Sequence, residues 1–181
     1  CSMTIADQLI TLRARIHSAA LKAGRDPASI HLLAASKRTD ADGIRESIEA
    51  GQLLFGENRA QSLRDKFDLL SPGYPDAEWH FIGHLQTNKS RDAVRLFHMI
   101  HSMDSMRLAE AIQENCEKQA RTARILLEVN VSGEASKHGF RPDEVLDQLE
   151  DLNALDRLEI HGFMTMAPWT PEPEKTRPTF Q

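Results

Sequence analysis

Apolar residues recur along this chain in two alternating rhythms. Ile5, Leu9, Leu12, Ile16, Ala19 and Ala20 follow helical spacing and predict an opening amphipathic helix that Gly24 and Pro27 end. The run Ile30–Ser36 then predicts a buried strand. Asp40 is a candidate N-cap for a helix to Ala50, which Gly51 stops. Strand-like runs follow at 53–58, 78–83, 99–102, 125–131 and 158–164. Helical segments at 60–70, 88–97, 105–120 and from Pro142 separate them, and Pro173–Phe180 begins another.

Alternation of this kind means parallel strands joined by right-handed crossovers, an α/β protein. Each strand exits into a polar tip: Ser36-Lys37, Glu57-Asn58, His84 to Gln86, Ser102 to Asp104, Asn130 to Ser132, and Thr165. About six βα units are expected, against the eight of a closed (β/α)8 barrel. An open doubly wound sheet is the alternative, weakened by the lack of a Gly-rich nucleotide turn after the first strand. The Pro-rich stretch 168–178 reads as a long βα loop within a single domain spanning 1–181.

Composition narrows the function classes. Of 181 residues, 40% are hydrophobic and 27% charged, enough for one domain with a core. A net charge of −5 gives no basic stripe for nucleic acid. Mean hydropathy is −0.45 and no long uncharged apolar run occurs, so no membrane span is expected. Met3 is the expected start, with Cys1 and Ser2 ahead of it and no secretory pattern after it. Cys116 is then the expected native thiol, on the apolar stripe of a helix and inert, which fits the cytoplasm.

Lys37 puts a primary amine at the C-terminal end of the first strand, where α/β folds place their chemistry. Two readings stand: a poorly solvated, nucleophilic amine able to condense with an aldehyde, and a lysine that leaves the core for water. Asn58 in Gly56-Glu57-Asn58 places an amide and a carboxylate at a strand end, or caps the next helix. Lys137 adds an amine in the loop 133–139, and Met164 ends the sixth strand where it could pack on a flat ring. His80 and His84 have i, i+4 spacing but flank a strand, so their rings need not converge; no metal site is expected.

These residues belong to a longer pattern: Ala35-Ser36-Lys37, Phe55-Gly56-Glu57-Asn58, Trp79 to Lys89, Ile100 to Asp104, Glu128 to Val131, Ser136-Lys137-His138-Gly139 and Gly162 to Pro168, in that order. The whole chain thereby resembles the pyridoxal-phosphate homeostasis protein family. The resemblance implies a TIM-type (β/α)8 barrel of the alanine racemase N-terminal kind, PLP fold type III. It implies that pyridoxal 5′-phosphate (PLP) is held in the barrel mouth as an aldimine on Lys37. Asn58 and Met164 would contact the cofactor, and Lys137 would match a loop lysine linked to cofactor handling. The family is thought to bind, buffer and deliver PLP without catalysis, with PLP-dependent apo-enzymes as recipients. Many members carry a second lysine two residues after the first; Thr39 stands there in this chain, after Arg38.

Family members continue for some fifty residues past this point, through the last strands and the phosphate-binding end. Those segments are expected to be lacking here, with weak PLP binding by residues 1–181 alone. A complete barrel is expected to be a monomer; a truncated one exposes two sheet edges, is inactive, or pairs those edges with another copy. The competing enzyme reading is a PLP-dependent amino-acid racemase. Racemisation needs bases on both faces of the reacting carbon. In racemases of this fold the second base is a tyrosine from a separate domain, and the single tyrosine here, Tyr74, sits in a turn.

Overall fold

The computed structural model describes residues 3–135 and 137–181. Cys1, Ser2 and Ser136, the first residue of the Ser136-Lys137-His138-Gly139 motif, lie outside the described residues. Strands and helices alternate as the apolar rhythm predicts. The strands are β1 (Ala34–Ala35), β2 (Leu54–Glu57), β3 (Glu78–Phe81), β4 (Met99–Met103), β5 (Ala123–Glu128) and β6 (Leu158–Met164). The helices are α1 (Ile5–Lys22), α2 (Ala41–Glu49), α3 (Ala60–Leu70), α4 (Ser90–Leu96), α5 (Met106–Gln119), α6 (Pro142–Asp147) and α7 (Leu149–Asn153). β1 pairs with β2, and β3 through β6 pair in chain order, all parallel.

The chain divides into two compact units, Cys1–Glu57 with Gln61–Trp79, and Asn58–Ala60 with His80–Gln181. In the first, Ile44 and Ile48 of α2, Leu63 and Leu70 of α3, and the stacked rings of Phe55 and Trp79, 5.2 Å apart, are buried. Local chemistry starts its helices. Thr4 and Asp7 cap α1 reciprocally, and the Asp40 carboxylate accepts from the Gly43 N–H at 2.9 Å, as the N-cap reading of Asp40 requires.

β1 is shorter than the Ile30–Ser36 run suggests. Gln52, 2% exposed, donates from its side-chain amide to the carbonyl oxygens of Leu32 (2.7 Å) and Leu54 (2.8 Å). A side chain thus fills the acceptors a longer β1–β2 ladder would use. Backbone pairing survives only from Ala34 to Ser36, whose N–H donates to Gly56 O at 3.0 Å.

The second unit holds a continuous core of Phe81, Ile100, Met103, Leu108, Ile112, Cys116, Ile125, Leu127 and Phe140 with their neighbours. Cys116 is fully buried and burial pushes its thiol up to about 11, so the expected inert core cysteine is what the fold contains. Two register shifts shape the strand ends. β4 spends three residues against two of β5 between Ile100 and Met103. β6 spends three against two of β5 between Ile160 and Phe163, a bulge containing Gly162 at φ +141°. The helical segment expected at Pro173–Phe180 is a 3-10 helix; Pro178 inside it has no N–H to donate.

Candidate functional site

In the first unit the C-terminal end of β1 is held by a buried polar network. Glu57 at the end of β2 is fully buried. Its Oε1 accepts from Ser36 Oγ at 2.7 Å and from Lys66 Nζ of α3 at 2.7 Å. Lys66 Nζ also donates to the Ser36 carbonyl at 2.8 Å. That carbonyl accepts the Thr39 N–H as well, at 3.0 Å, so Ser36–Thr39 is a turn with Lys37 as its second residue. Glu57 Oε2 has no hydrogen-bond partner among the described residues.

Lys37 itself is exposed, and its amine has no hydrogen-bond or ion-pair partner among the described residues. The desolvation that a strand-end position suggests is therefore absent: the lysine leaves the strand into water. What is buried is its peptide, one residue earlier, where Ser36 is 3% exposed.

The second unit carries the remaining predicted residues. Asn58 lies one position outside the N-cap of α3, which begins at Ala60, so it is not the capping residue. Its backbone packs against Gly83: a Cβ at 83 would lie 2.5 Å from Asn58 O and 2.8 Å from its Cα, so only glycine admits this approach. Met164, half-buried, pairs opposite Glu128, and its carbonyl accepts the Val129 N–H at 2.9 Å. Thr165 Oγ1 locks the same junction by donating to Val129 O at 2.7 Å. Lys137 is not free: its Nζ pairs with Glu134 and donates to Ser132 Oγ and Met166 O, each at 3.3 Å. That pairing holds the Glu134 carboxyl below its usual range.

The histidines pair across strands, which i, i+4 counting does not reveal. His80 Nδ1 and His101 Nε2 are 2.8 Å apart. His84 and His138 stack with ring centroids 3.8 Å apart and an interplanar angle of 13°. Their Nδ1 atoms face Asp104 Oδ2 at 3.3 and 4.0 Å. The three donor atoms lie within 4.8 Å of one another. Near-parallel stacked rings aim their in-plane lone pairs side by side, so an ion between them would sit far out of both ring planes. The cluster is two imidazoles sharing one carboxylate. Glu128 lies beside it; burial first, then Asp104, raises its carboxyl, and His138 opposes this.

His101 carries a pH prediction. Burial, with a smaller contribution from His80, lowers it to about 4 from 6.5. Between these values an unfolded chain takes up a proton that the folded one refuses, so stability is full above 6.5 and is lost as pH falls toward 4. Thermal melts of wild type and His101→Gln across this window should show a flatter pH dependence for the variant; equal slopes would refute the assignment.

Ser36, Glu57 and Lys66 were missed as a unit by sequence reasoning. The available signal is Lys66 itself, three residues after Leu63 and four before Leu70 on the buried stripe of α3.

Comparison with known proteins adds the following. The model of the family "alanine racemase, N-terminal domain" matches residues 19–181. The pyridoxal phosphate homeostasis protein of Aquifex aeolicus is 37% identical over 179 residues, which cover 99% of this chain and 78% of that protein. That of Escherichia coli K12 is 37% identical over 174 residues, 96% of this chain and 74% of the relative. Among solved structures, PipY of Synechococcus elongatus without PLP superposes with a TM-score of 0.86 at 36% identity, over 97% of this chain and 77% of PipY. PipY with PLP bound gives 0.78 at 34%, over 93% and 76%. Alanine racemase of Clostridium difficile gives 0.67 at 13% identity, over 83% and 41%, a likeness of fold alone.

Proposed function

The chain belongs to the alanine racemase N-terminal domain family, and from that premise we propose that it binds pyridoxal 5′-phosphate and serves PLP homeostasis rather than catalysis. PLP supplies an aldehyde that condenses reversibly with a primary amine, releasing water. The observation that carries the reading is an exposed lysine at the C-terminal end of a strand. Lys66 holds Glu57 and Lys137 holds Glu134, whereas Lys37 is exposed and unpaired on a turn whose backbone is fixed from below. An amine so placed fits an aldehyde partner and stays open to whatever takes the aldehyde away. Asn58 and Met164, at the ends of β2 and β6, are the residues we assign to the cofactor ring; Lys137 would act only after leaving Glu134.

Racemisation would need a second base. Tyr74, the sole tyrosine, lies in the connection entering β3, at the N-terminal end of the strands, with its hydroxyl 3.5 Å from Glu49. Lys37 lies at the C-terminal end of β1, so Tyr74 is not the missing partner. Free amino acids or PLP-dependent apo-enzymes are the recipients this reading implies. The buried, unpaired thiol of Cys116 supports a reducing, cytosolic setting, and no helix among the described residues is long and apolar enough to cross a membrane.

The test is covalent mapping. The chain is incubated with excess PLP, reduced with borohydride, digested, and its pyridoxyl-lysines located by mass spectrometry. Label concentrated on Lys37 is expected; label spread over exposed lysines with none preferred at Lys37 would overturn the binding assignment. Incubation with L-alanine and PLP should yield no D-alanine, and its formation would overturn the non-catalytic reading.

A further inference from the structure

We infer that Lys66 and Glu57 form a buried clamp that positions Lys37 for its aldehyde partner. The inference rests on the assignment of Lys37 as the capturing amine. Lys37 has no hydrogen bond or ion pair of its own among the described residues, so its placement comes from the peptide that carries it. The Ser36 carbonyl, the acceptor of the peptide bond into Lys37, takes Lys66 Nζ at 2.8 Å and the Thr39 N–H at 3.0 Å. The Ser36 hydroxyl is fixed on Glu57 Oε1 at 2.7 Å, and the Ser36 N–H on Gly56 O at 3.0 Å. All three polar groups of Ser36 are thus engaged, the carbonyl by both a backbone N–H and an ammonium, in a residue that is 3% exposed.

A fully buried carboxylate and a largely buried ammonium are a costly way to hold a turn. Taking ions from water costs several kcal/mol each before pairing offsets it, and apolar replacements of such pairs are often no less stable. A fold needing only stability has cheaper solutions. The pair does supply direction: an ammonium bonded at once to a carboxylate and a main-chain carbonyl fixes the orientation of the peptide plane to within hydrogen-bond tolerance. Glu57 Oε2 is buried and has no hydrogen-bond partner among the described residues, so within them the carboxylate is oriented by Ser36 and Lys66. Neither residue touches the aldehyde; both are positioning residues acting through Lys37.

The experiment compares wild type, Lys66→Met and the double variant Glu57→Gln/Lys66→Met. The double variant removes both charges together, so that neither is left buried without its partner. Two reagents report on the same lysine in each protein: PLP followed by borohydride, and acetic anhydride, a small acylating agent that needs no fixed geometry. Folding is matched by far-UV circular dichroism. Both variants are expected to need roughly tenfold more PLP for half-maximal labelling of Lys37, within the roughly hundredfold that a 1 Å misplacement of a reacting group can cost. Acetylation of Lys37 should be unchanged. At matched occupancy the induced circular dichroism of bound PLP should be lost, which a purely stabilising pair would not cause. Wild-type labelling and induced signal in the folded double variant would overturn the clamp while leaving the Lys37 assignment standing. Absence of label on Lys37 in the wild-type chain would remove both. If Lys66→Met alone does not fold, the double variant decides.

Discussion

Gly139→Ala is expected to lower the melting temperature by roughly 6–12 °C, about 3 kcal/mol at the 2–4 °C per kcal/mol of a chain this size. Gly139 has φ +116°, outside what L side chains readily adopt. An added Cβ would also meet main chain on three sides, 2.9 Å from Asn130 N, 3.0 Å from Glu128 O and 3.2 Å from Val129 C. None of those atoms can rotate away. They belong to the junction where the loop after β5 folds back: Asn130 N donates to Phe140 O and Phe140 N to Glu128 O, both at 2.8 Å. Phe140, 1% exposed, inserts into the core from this junction. Gly133→Ala separates the two causes. Gly133 has φ +71° but nothing within 4 Å of its Cβ position, so only the conformational cost of about 1 kcal/mol applies there. Calorimetric melts of the two variants should therefore differ by at least the effect of Gly133→Ala itself. Equal shifts would mean that the close approach at Gly139 relaxes without cost.

What the sequence made legible, and what it hid, divides by the range of the cause. The bounds of α3 and β6 follow from local apolar spacing, and so does the Asp40 cap, because a helix start is set by residues within four positions of each other. The length of β1 was not legible, because Gln52, some twenty residues away, takes its ladder acceptors. At the site, the chain order of polar strand tips was readable, but their partners were not. His80 belongs with His101 and His84 with His138 across strands and loops, so spacing within one strand carried no information on either pair. Glu57 was readable as a strand-end carboxylate. That it is sealed under Ser36 and Lys66 depended on the register of α3 against β2, which no local pattern encodes.

Lys37→Ala is expected to abolish site-specific PLP labelling while leaving the fold intact. The side chain is exposed and without partners among the described residues, and substitutions of that kind change stability by about 0.5 kcal/mol or less. The Ser36–Thr39 turn keeps its hydrogen bonds, since all of them involve Ser36, Thr39 and Lys66. Lys66 cannot take over: its ammonium is bound to a buried carboxylate, and freeing it would leave Glu57 charged and unpaired in the interior, a cost of about 3–5 kcal/mol. Lys137 is held less firmly, because Glu134 is an exposed partner. The informative comparison is therefore Lys37→Ala against Lys137→Ala, with borohydride mapping in both. Loss of specific label in the first and its retention on Lys37 in the second would tie PLP capture to the end of β1. Label that moves quantitatively to Lys137 when Lys37 is removed would instead make the loop after β5 an alternative acceptor, and the Glu134 pair the latch that keeps it closed.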